Sequence, residues 1–464
     1  YLNPEILLND SDQRDVYFAA VATTREYAQL VADGLRANDE RYRLVSRDVR
    51  VALARRHLVL RGPDLFAGSA SGYHGAMEAS LENRIRTQLR ELVGAGSVSS
   101  ADPAYDMSNL AVIDLVEQFC REAGASVERM SVPEAPDKAN LIAHFGAGPG
   151  GLVLSGHTDT VPCNTELWQS DPFELSERAG RLYGLGAADM KGFFPAVFAA
   201  LARVDPRRLR RRVTIIATCD EESSMSGARA LAEAGLDLGE AAVIGEPTGL
   251  TPIRMHKGVM MLDIRVLGRA GHASDPSLGR NALEAMTAVM QALISLRETE
   301  FAPLAQAGFP VPAPTLNLGA IRGGDNPNRI CGSCELKLDV RLVPGQDPQG
   351  VLARIEAVAT EAVAGSGTEV TVNPLMRPVP PMATEADADI VRLTEHLTGH
   401  HAGAVNFATE GPFFNLLGLE TVILGAGSID QAHQPNEYVE TGQIAQLVPM
   451  LADLIDHYSG PGAS

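Results

Sequence analysis

Three short apolar runs decide the fold of this chain: Leu-Val-Leu-Ser at 152–155, Val-Thr-Ile-Ile-Ala-Thr-Cys at 213–219 and Ala-Val-Ile-Gly at 242–245. Their length and β-branched content predict buried strands, whereas the patterns at 194–204 and 226–234 predict helices between them. Such alternation is typical of an α/β domain with a mostly parallel sheet flanked by helices. Ligands of such sheets bind beyond the carboxyl ends of the strands, so the residues after each run are site candidates.

Potential metal ligands follow these runs and occupy two further loops. They comprise two imidazoles and three carboxylates: His157, Asp189, Glu222, Glu246 and His433. This nitrogen and oxygen set suits zinc, cobalt or manganese. Five side chains exceed the needs of one open catalytic zinc site, but they fit two ions roughly 3.5–4 Å apart that share a carboxylate. The set therefore predicts a hydrolytic site with two divalent metal ions.

Each candidate also has an ordinary structural explanation when it is taken alone. A His-x-Asp after a strand, as at 157–159, is more often a turn feature, and Asp-Glu-Glu at 220–222 is by default a solvated acidic loop. Asp189 precedes a helix and could simply cap it. The occurrence of all five ligands in one chain favours the metal site over these explanations.

Two residues beside the ligands have predicted supporting roles. Asp159 lies two positions after His157 at a strand end, so both side chains point the same way and Asp159 can fix the free ring nitrogen. Glu221 and Glu222 are neighbours whose side chains diverge. A general base must reach the attacking water without being tied up as a ligand. We therefore assign Glu221 as the base and Glu222 as the ligand.

The pattern changes between residues 255 and 375. Strands and helices are predicted there in the order β-α-β-β-α-β, which indicates an inserted ferredoxin-like α+β unit that serves as a lid. The segments are 260–267, 281–297, 315–321, 334–342, 350–364 and 369–373. The insertion divides the catalytic domain into 77–254 and 376–464, so His433 is reached only after the chain returns.

Polar residues of the inserted unit are candidates for substrate contacts. His272 in Gly-Arg-Ala-Gly-His-Ala-Ser could donate to the oxyanion of a tetrahedral intermediate. Asn326 and Arg341 could hold polar groups and a carboxylate of the substrate. The alternative is that all three are surface residues of a small sheet.

Residues 1–76 differ from the rest of the chain and are expected to form an N-terminal extension of unreadable function. One amphipathic helix is predicted at about 15–38, followed by a basic patch around 50–61. The segment Gly-Ser-Ala-Ser-Gly-Tyr-His-Gly at 68–75 is expected to be a linker. Met77 would then begin the catalytic polypeptide.

The composition excludes several classes of partner. A net charge of -19 argues against nucleic acid and anionic membranes. No apolar run approaches the roughly 18–20 residues that span a bilayer, and the first residues lack the pattern of a secretory signal. The five cysteines suit a reducing compartment. We therefore expect a cytoplasmic protein that acts on a small molecule.

Several motifs resemble the acetylornithine deacetylases, within the wider family of two-metal aminoacylases and carboxypeptidase G-type metallopeptidases. The matching stretches are His-Thr-Asp-Thr-Val-Pro at 157–162, the run from Trp168 to Phe194, Asp-Glu-Glu-Ser-Ser-Met-Ser-Gly at 220–227, Ile-Gly-Glu-Pro-Thr at 244–248, His-Lys-Gly at 256–258, Gly-His-Ala-Ser at 271–274, Asn-Arg-Ile-Cys at 328–331 and Ala-His-Gln-Pro-Asn-Glu-Tyr at 432–438. The resemblance runs from about Met77 to the end, and residues before Met77 have no counterpart in it.

The resemblance implies a specific arrangement of ligands. Asp189 would bridge two zinc or cobalt ions, His157 and Glu246 would complete one shell, and Glu222 and His433 would complete the other.

It also implies roles beyond the ligands. Glu221 would be the base and Asp159 the orienting residue. The inserted unit would mediate homodimerisation, and whether His272 serves its own site or the partner's is left open.

The activity implied by the resemblance is removal of the acetyl group from N2-acetyl-L-ornithine, giving L-ornithine and acetate in arginine biosynthesis. Related substrates remain alternatives: acetylcitrulline, succinyl-diaminopimelate, or a peptide cleaved by a metallo-carboxypeptidase or dipeptidase. A remote alternative is a non-catalytic binding protein of the same fold.

Overall fold

The computed structural model of the chain describes residues 65–462, with side chains from residue 79 onward. The helix predicted at 15–38 and the basic patch at 50–61 lie outside the described residues. The predicted linker at 68–75 is wrong, because these residues lie within a helix that runs from Leu65 to Gly94. Once a helical turn exists, adding a residue costs little, so a helix can extend through small residues such as these.

The secondary structure alternates through most of the chain. The strands, in chain order, are β1 Ser126–Val132, β2 Ala135–Phe145, β3 Leu152–His157, β4 Ser176–Arg178, β5 Arg181–Tyr183, β6 Val213–Thr218, β7 Ala241–Ile244, β8 Ile253–His256, β9 Gly258–Leu267, β10 Thr315–Gly323, β11 Ser333–Leu342, β12 Glu369–Pro374, β13 Met382–Ala383, β14 Gly403–Val405, β15 Glu420–Ile423 and β16 Tyr438–Glu440. The α-helices are α1 Leu65–Gly94, α2 Leu110–Glu122, α3 Phe193–Arg203, α4 Ser226–Ala234, α5 Ala282–Leu296, α6 Pro348–Ala362, α7 Asp389–Thr398, α8 Gly411–Leu416 and α9 Thr441–Ser459.

The main sheet of the described chain has the strand order β1-β2-β6-β3-β7-β15-β8-β13, with β14 paired to β8. Its central strands β6, β3, β7 and β15 are parallel, which confirms the predicted α/β class. The edges are antiparallel, as in β1 with β2 and β2 with β6. Every residue of β3, β6 and β7 is buried, as expected for strands covered on both faces.

Helices cover the sheet through apolar faces. Residues 193–201 of α3 are all buried, and α3 packs on α9. On α1, Leu89, Leu92 and Val93 are also fully buried. Within the described part of the chain, no helix combines the length and apolar character needed to cross a membrane.

A second sheet has the order β10-β11-β9-β12 and is antiparallel throughout. Helices α5 and α6 pack on each other and share an apolar core with these strands. The element order β-α-β-β-α-β and this strand order are those of a ferredoxin-like unit. The chain leaves the main sheet after His256 and rejoins it at Met382. The exact boundaries at 255 and 375 stay a prediction.

A third, small sheet determines where the last ligand lies. Strand β16 pairs with β5, and β5 pairs with β4. Tyr438 therefore lies opposite Tyr183, shortly before the Gly-rich loop that leads to Asp189. This pairing brings residues more than 240 positions apart into one neighbourhood.

Candidate metal centre

Three of the predicted ligands follow neighbouring parallel strands. His157 is the last residue of β3, Glu222 lies four residues beyond β6, and Glu246 lies two residues beyond β7. Because these strands are adjacent and parallel, their carboxyl ends converge at one edge of the sheet. The side chains of His157 and Glu246 are buried there.

The carboxylate of Asp189 lies between the two imidazoles. Its Oδ1 is 3.0 Å from Nε2 of His157, and its Oδ2 is 3.5 Å from Nε2 of His433. Glu246 Oε1 is 3.9 Å from Nε2 of His157, and Glu222 Oε2 is 2.9 Å from Nε2 of His433. The five residues thus form two groups of candidate ligands that share Asp189, and within each group the potential donor atoms lie within 4.8 Å of one another.

The chemistry of this cluster fits divalent cations. Glu246 Oε1 is buried and has no hydrogen-bond partner among the described residues. Burial, followed by the charge of Asp189, raises the pKa of Glu246 well above its ordinary value. Several carboxylates held together away from water are costly unless positive charge compensates them. Two divalent ions would supply that charge and a partner for the free oxygen.

Glu221 lies beside the cluster but outside both groups that contain Asp189. It is half-buried, and its carboxylate lies close to His157 and Glu222. Burial, followed by the charge of Glu246, raises the pKa of Glu221 well above its ordinary value. The sequence assigned Glu221 as the base and Glu222 as the ligand from their spacing alone, and this placement supports that assignment. That role stays a prediction.

Asp159 contacts His157 through a different atom from the one expected. The backbone carbonyl of Asp159 accepts a hydrogen bond from Nδ1 of His157 at 3.0 Å, and the nearest carboxylate oxygen is 3.8 Å away. Because a carbonyl can only accept, Nδ1 carries the proton and Nε2 is left free to bind metal. The Asp159 carboxylate instead accepts from the backbone N–H groups of Glu221 and Glu222, at 3.3 and 3.0 Å.

Glu437 is a site residue that the sequence analysis missed. Its buried carboxylate accepts hydrogen bonds from the backbone N–H groups of Gly186, Ala188 and Asp189, at 2.9, 2.8 and 3.0 Å. Glu437 therefore fixes the loop that carries Asp189. Glu437 lies four residues after His433 in the motif at 432–438, and this position was the available sequence signal for a role in the site.

Glu410 was also missed. It is fully buried, and Oε2 accepts a hydrogen bond from Thr218 at the end of β6. Burial raises the pKa of Glu410 to about 7. Isolated in Ala-Thr-Glu-Gly-Pro, it gave no sequence signal for a place near the metal ligands.

The predicted substrate residues lie on the ferredoxin-like unit. His272 is exposed, and its Nδ1 accepts from Ser274 Oγ at 2.7 Å. Asn326 is exposed, and half-buried Arg341 pairs with Asp339 at 3.0 Å. Among the described side chains, the structure does not bring these three residues into contact with the metal ligands. Their substrate roles stay predictions.

Comparison with known proteins places the chain in a family. Residues 153–457 match the profile of peptidase family M20/M25/M40. The chain belongs to this family. It is 44% identical to the acetylornithine deacetylase of Klebsiella pneumoniae and 42% identical to that of Pectobacterium atrosepticum, in each case over 80% of this chain and 96% of the relative.

The fold of this M20/M25/M40 family member also matches solved structures. An M20 family metallo-carboxypeptidase from Sulfolobus solfataricus superposes with a TM-score of 0.64 at 18% identity, covering 80% of this chain and 98% of the other. This likeness concerns the fold. The acetylornithine deacetylases that are similar in sequence show that the chain is an amide hydrolase, which confirms the prediction from the motifs.

Proposed function

We propose that the chain is a two-metal amidohydrolase that removes the acetyl group from N2-acetyl-L-ornithine. The products are L-ornithine and acetate, and the reaction serves arginine biosynthesis in the cytoplasm. The observation that carries the proposal is the Asp189 carboxylate with one oxygen towards each imidazole, and Glu221 beside it. The identity of 44% to an acetylornithine deacetylase supports this substrate over others.

Two groups of residues would hold the metal ions, which we propose to be zinc or cobalt. His157 and Glu246 would bind one ion, and Glu222 and His433 would bind the other. Asp189 would bind both ions. When bound, such ions polarise the scissile carbonyl and lower the pKa of water.

Glu221 would move the proton. Its carboxylate would take a proton from the attacking water as the oxygen bonds to the acetyl carbon. The same group would then deliver that proton to the nitrogen as the C–N bond breaks. Acetate and a free amine leave, and Glu221 returns to its starting form.

Residues of the ferredoxin-like unit would complete the site. His272 would stabilise the oxyanion, and Arg341 and Asn326 would hold the carboxylate and polar groups of the substrate. We also propose that this unit forms a homodimer, which would allow His272 to act in the partner's site.

A substrate panel tests the proposal. The purified chain, loaded with Zn²⁺ or Co²⁺, is assayed for amine release from N2-acetyl-L-ornithine, N-acetyl-L-citrulline, N-succinyl-LL-diaminopimelate and a dipeptide. We expect the highest kcat/KM for N2-acetyl-L-ornithine. A higher value for another compound would reassign the substrate. No turnover with either metal, together with no bound metal, would favour the non-catalytic binding protein.

A further inference from the structure

The turn that carries Glu221 and Glu222 has an unusual backbone. Asp220 has φ +59° and Met225 has φ +54°, so two non-glycine residues adopt the left-handed region. Such conformations cost energy and persist only where surrounding contacts hold them. The contacts that hold Asp220 therefore control where the two glutamates lie.

The Asp220 carboxylate is held by three side chains from different segments. Oδ1 accepts from Ser99 Oγ at 2.8 Å and from Lys138 Nζ at 2.5 Å, and Oδ2 accepts from Ser226 Oγ at 3.0 Å. Both serine hydroxyls are neutral donors. Of the three side chains, Lys138 supplies the positive charge that forms an ion pair with the carboxylate.

Lys138 is placed to act on Asp220 rather than on solvent. It lies on β2 and is 8% exposed, and its Nζ also contacts the carboxylate of Asp106 at 2.6 Å. The side chain of Asp106 is 33% exposed, whereas that of Asp220 is 8% exposed. The ion pair with Asp220 is therefore the buried and less screened of the two.

The turn is also held by Asp159, whose carboxylate accepts from the backbone N–H groups of Glu221 and Glu222. The two glutamates thus directly follow an aspartate that is anchored by a buried lysine, and their backbone N–H groups are bound by a second aspartate. We propose that Lys138 is a positioning residue of the hydrolytic reaction, which fixes the Glu221–Glu222 turn through Asp220. The proposal rests on the proposed hydrolytic function, in which Glu221 is the base.

The test compares three variants at matched metal loading. Lys138→Met keeps the stem and removes the charge, Lys138→Arg keeps the charge, and Asp106→Ala removes the exposed end of the network. A displacement of about 1 Å at a catalytic group can cost about 100-fold in rate. We expect Lys138→Met to lower kcat by about 10- to 100-fold with KM within threefold of wild type. Lys138→Arg should recover part of kcat, and Asp106→Ala should stay within twofold.

A spectroscopic readout separates this inference from the substrate assignment. The kcat values are measured with whichever acylated amino acid the wild type hydrolyses fastest. Independently, the visible absorption of the Co²⁺-loaded protein reports the coordination by Glu222. We expect an altered spectrum for Lys138→Met and a near wild-type spectrum for Lys138→Arg. A wild type without any activity would reject the proposed function, but it would leave this spectral comparison as a test.

Two results would overturn the inference. The first is a folded Lys138→Met protein with kcat within twofold of wild type and an unchanged Co²⁺ spectrum. The second is an Asp220→Asn protein with the kcat and Co²⁺ spectrum of the wild type, which would show that the turn does not depend on this ion pair. Asp220→Asn removes the pair from its other end and is used if Lys138→Met does not fold.

Discussion

Glu437→Gln should weaken metal binding although Glu437 is not itself a predicted ligand. Oε1 of Glu437 accepts from the N–H groups of Ala188 and Asp189, and Oε2 accepts from that of Gly186. A glutamine keeps one carbonyl oxygen, so its best orientation preserves the two bonds at Oε1. Its amide group would then face the N–H of Gly186, donor against donor.

The magnitude follows from the number of bonds lost. Glu437 is 1% exposed, so water cannot replace the lost acceptor. A hydrogen bond to a charged group contributes about 1.5–3 kcal/mol, and one such bond is lost while the others become neutral. If the lost hydrogen bonds weaken the positioning of Asp189 by this free energy, metal affinity falls by about 10- to 100-fold. This is the usual effect of removing a group that orients a ligand.

The assay is competition for Co²⁺ or Zn²⁺ with a chelator of known affinity, with kcat measured at saturating metal. Glu440→Gln provides a matched control, because Glu440 lies three residues further along the chain, at the end of β16, and pairs with Arg181 at the surface. The control should bind metal as the wild type does. Metal affinity and kcat of Glu437→Gln within twofold of wild type would refute this account of the Asp189 loop.

Further predictions concern the base, the turn before Glu246 and a buried histidine. Glu221→Ala should retain both metal ions and lose about 10²- to 10⁴-fold in kcat, measured by amine release with metal analysis; persistent turnover would reject Glu221 as the base. Gly245→Ala should lower the yield and thermal stability sharply, because its Cβ would lie 2.1 Å from the ring of Phe193. Gly442→Ala is the control, since a Cβ there meets no atom within 4 Å. Burial lowers the pKa of His256 to about 4, so the unfolded chain binds a proton first as the pH falls. The free energy of unfolding should therefore fall by about 1.4 kcal/mol per pH unit as the pH is lowered from about 6.5 to 4. His256→Gln should lack this contribution to the pH dependence in denaturant titrations.

The clustering of the candidate ligands could be predicted because strand ends and side-chain types are local features of the sequence. His157 and Glu246 follow buried apolar runs, and the parallel order of β3 and β7 brings them together. The ferredoxin-like unit was also predictable, because each of its segments has either a clear periodic pattern of apolar residues or a continuous apolar run. Its helices 281–297 and 350–364 were placed within two residues of the observed α5 and α6.

Contacts that join distant segments were not predictable. Glu437 reaches the Asp189 loop because β16 pairs with β5, and nothing in either short strand specifies that partner. The bond from His157 to the carbonyl of Asp159 depends on backbone direction after β3, whereas the sequence shows only side-chain types. The antiparallel edges of the main sheet likewise depend on connections rather than on composition.

The proposed hydrolytic site depends on an Asp189 carboxylate that is shared by two metal ions. The most direct measurement is a crystal structure of the Zn²⁺-loaded chain with anomalous scattering recorded at the zinc edge. We expect two zinc peaks roughly 3.5–4 Å apart, one beside each oxygen of Asp189, with His157 and Glu246 on one ion and Glu222 and His433 on the other. A single peak, or two peaks with Asp189 bound to one of them alone, would contradict the proposed site.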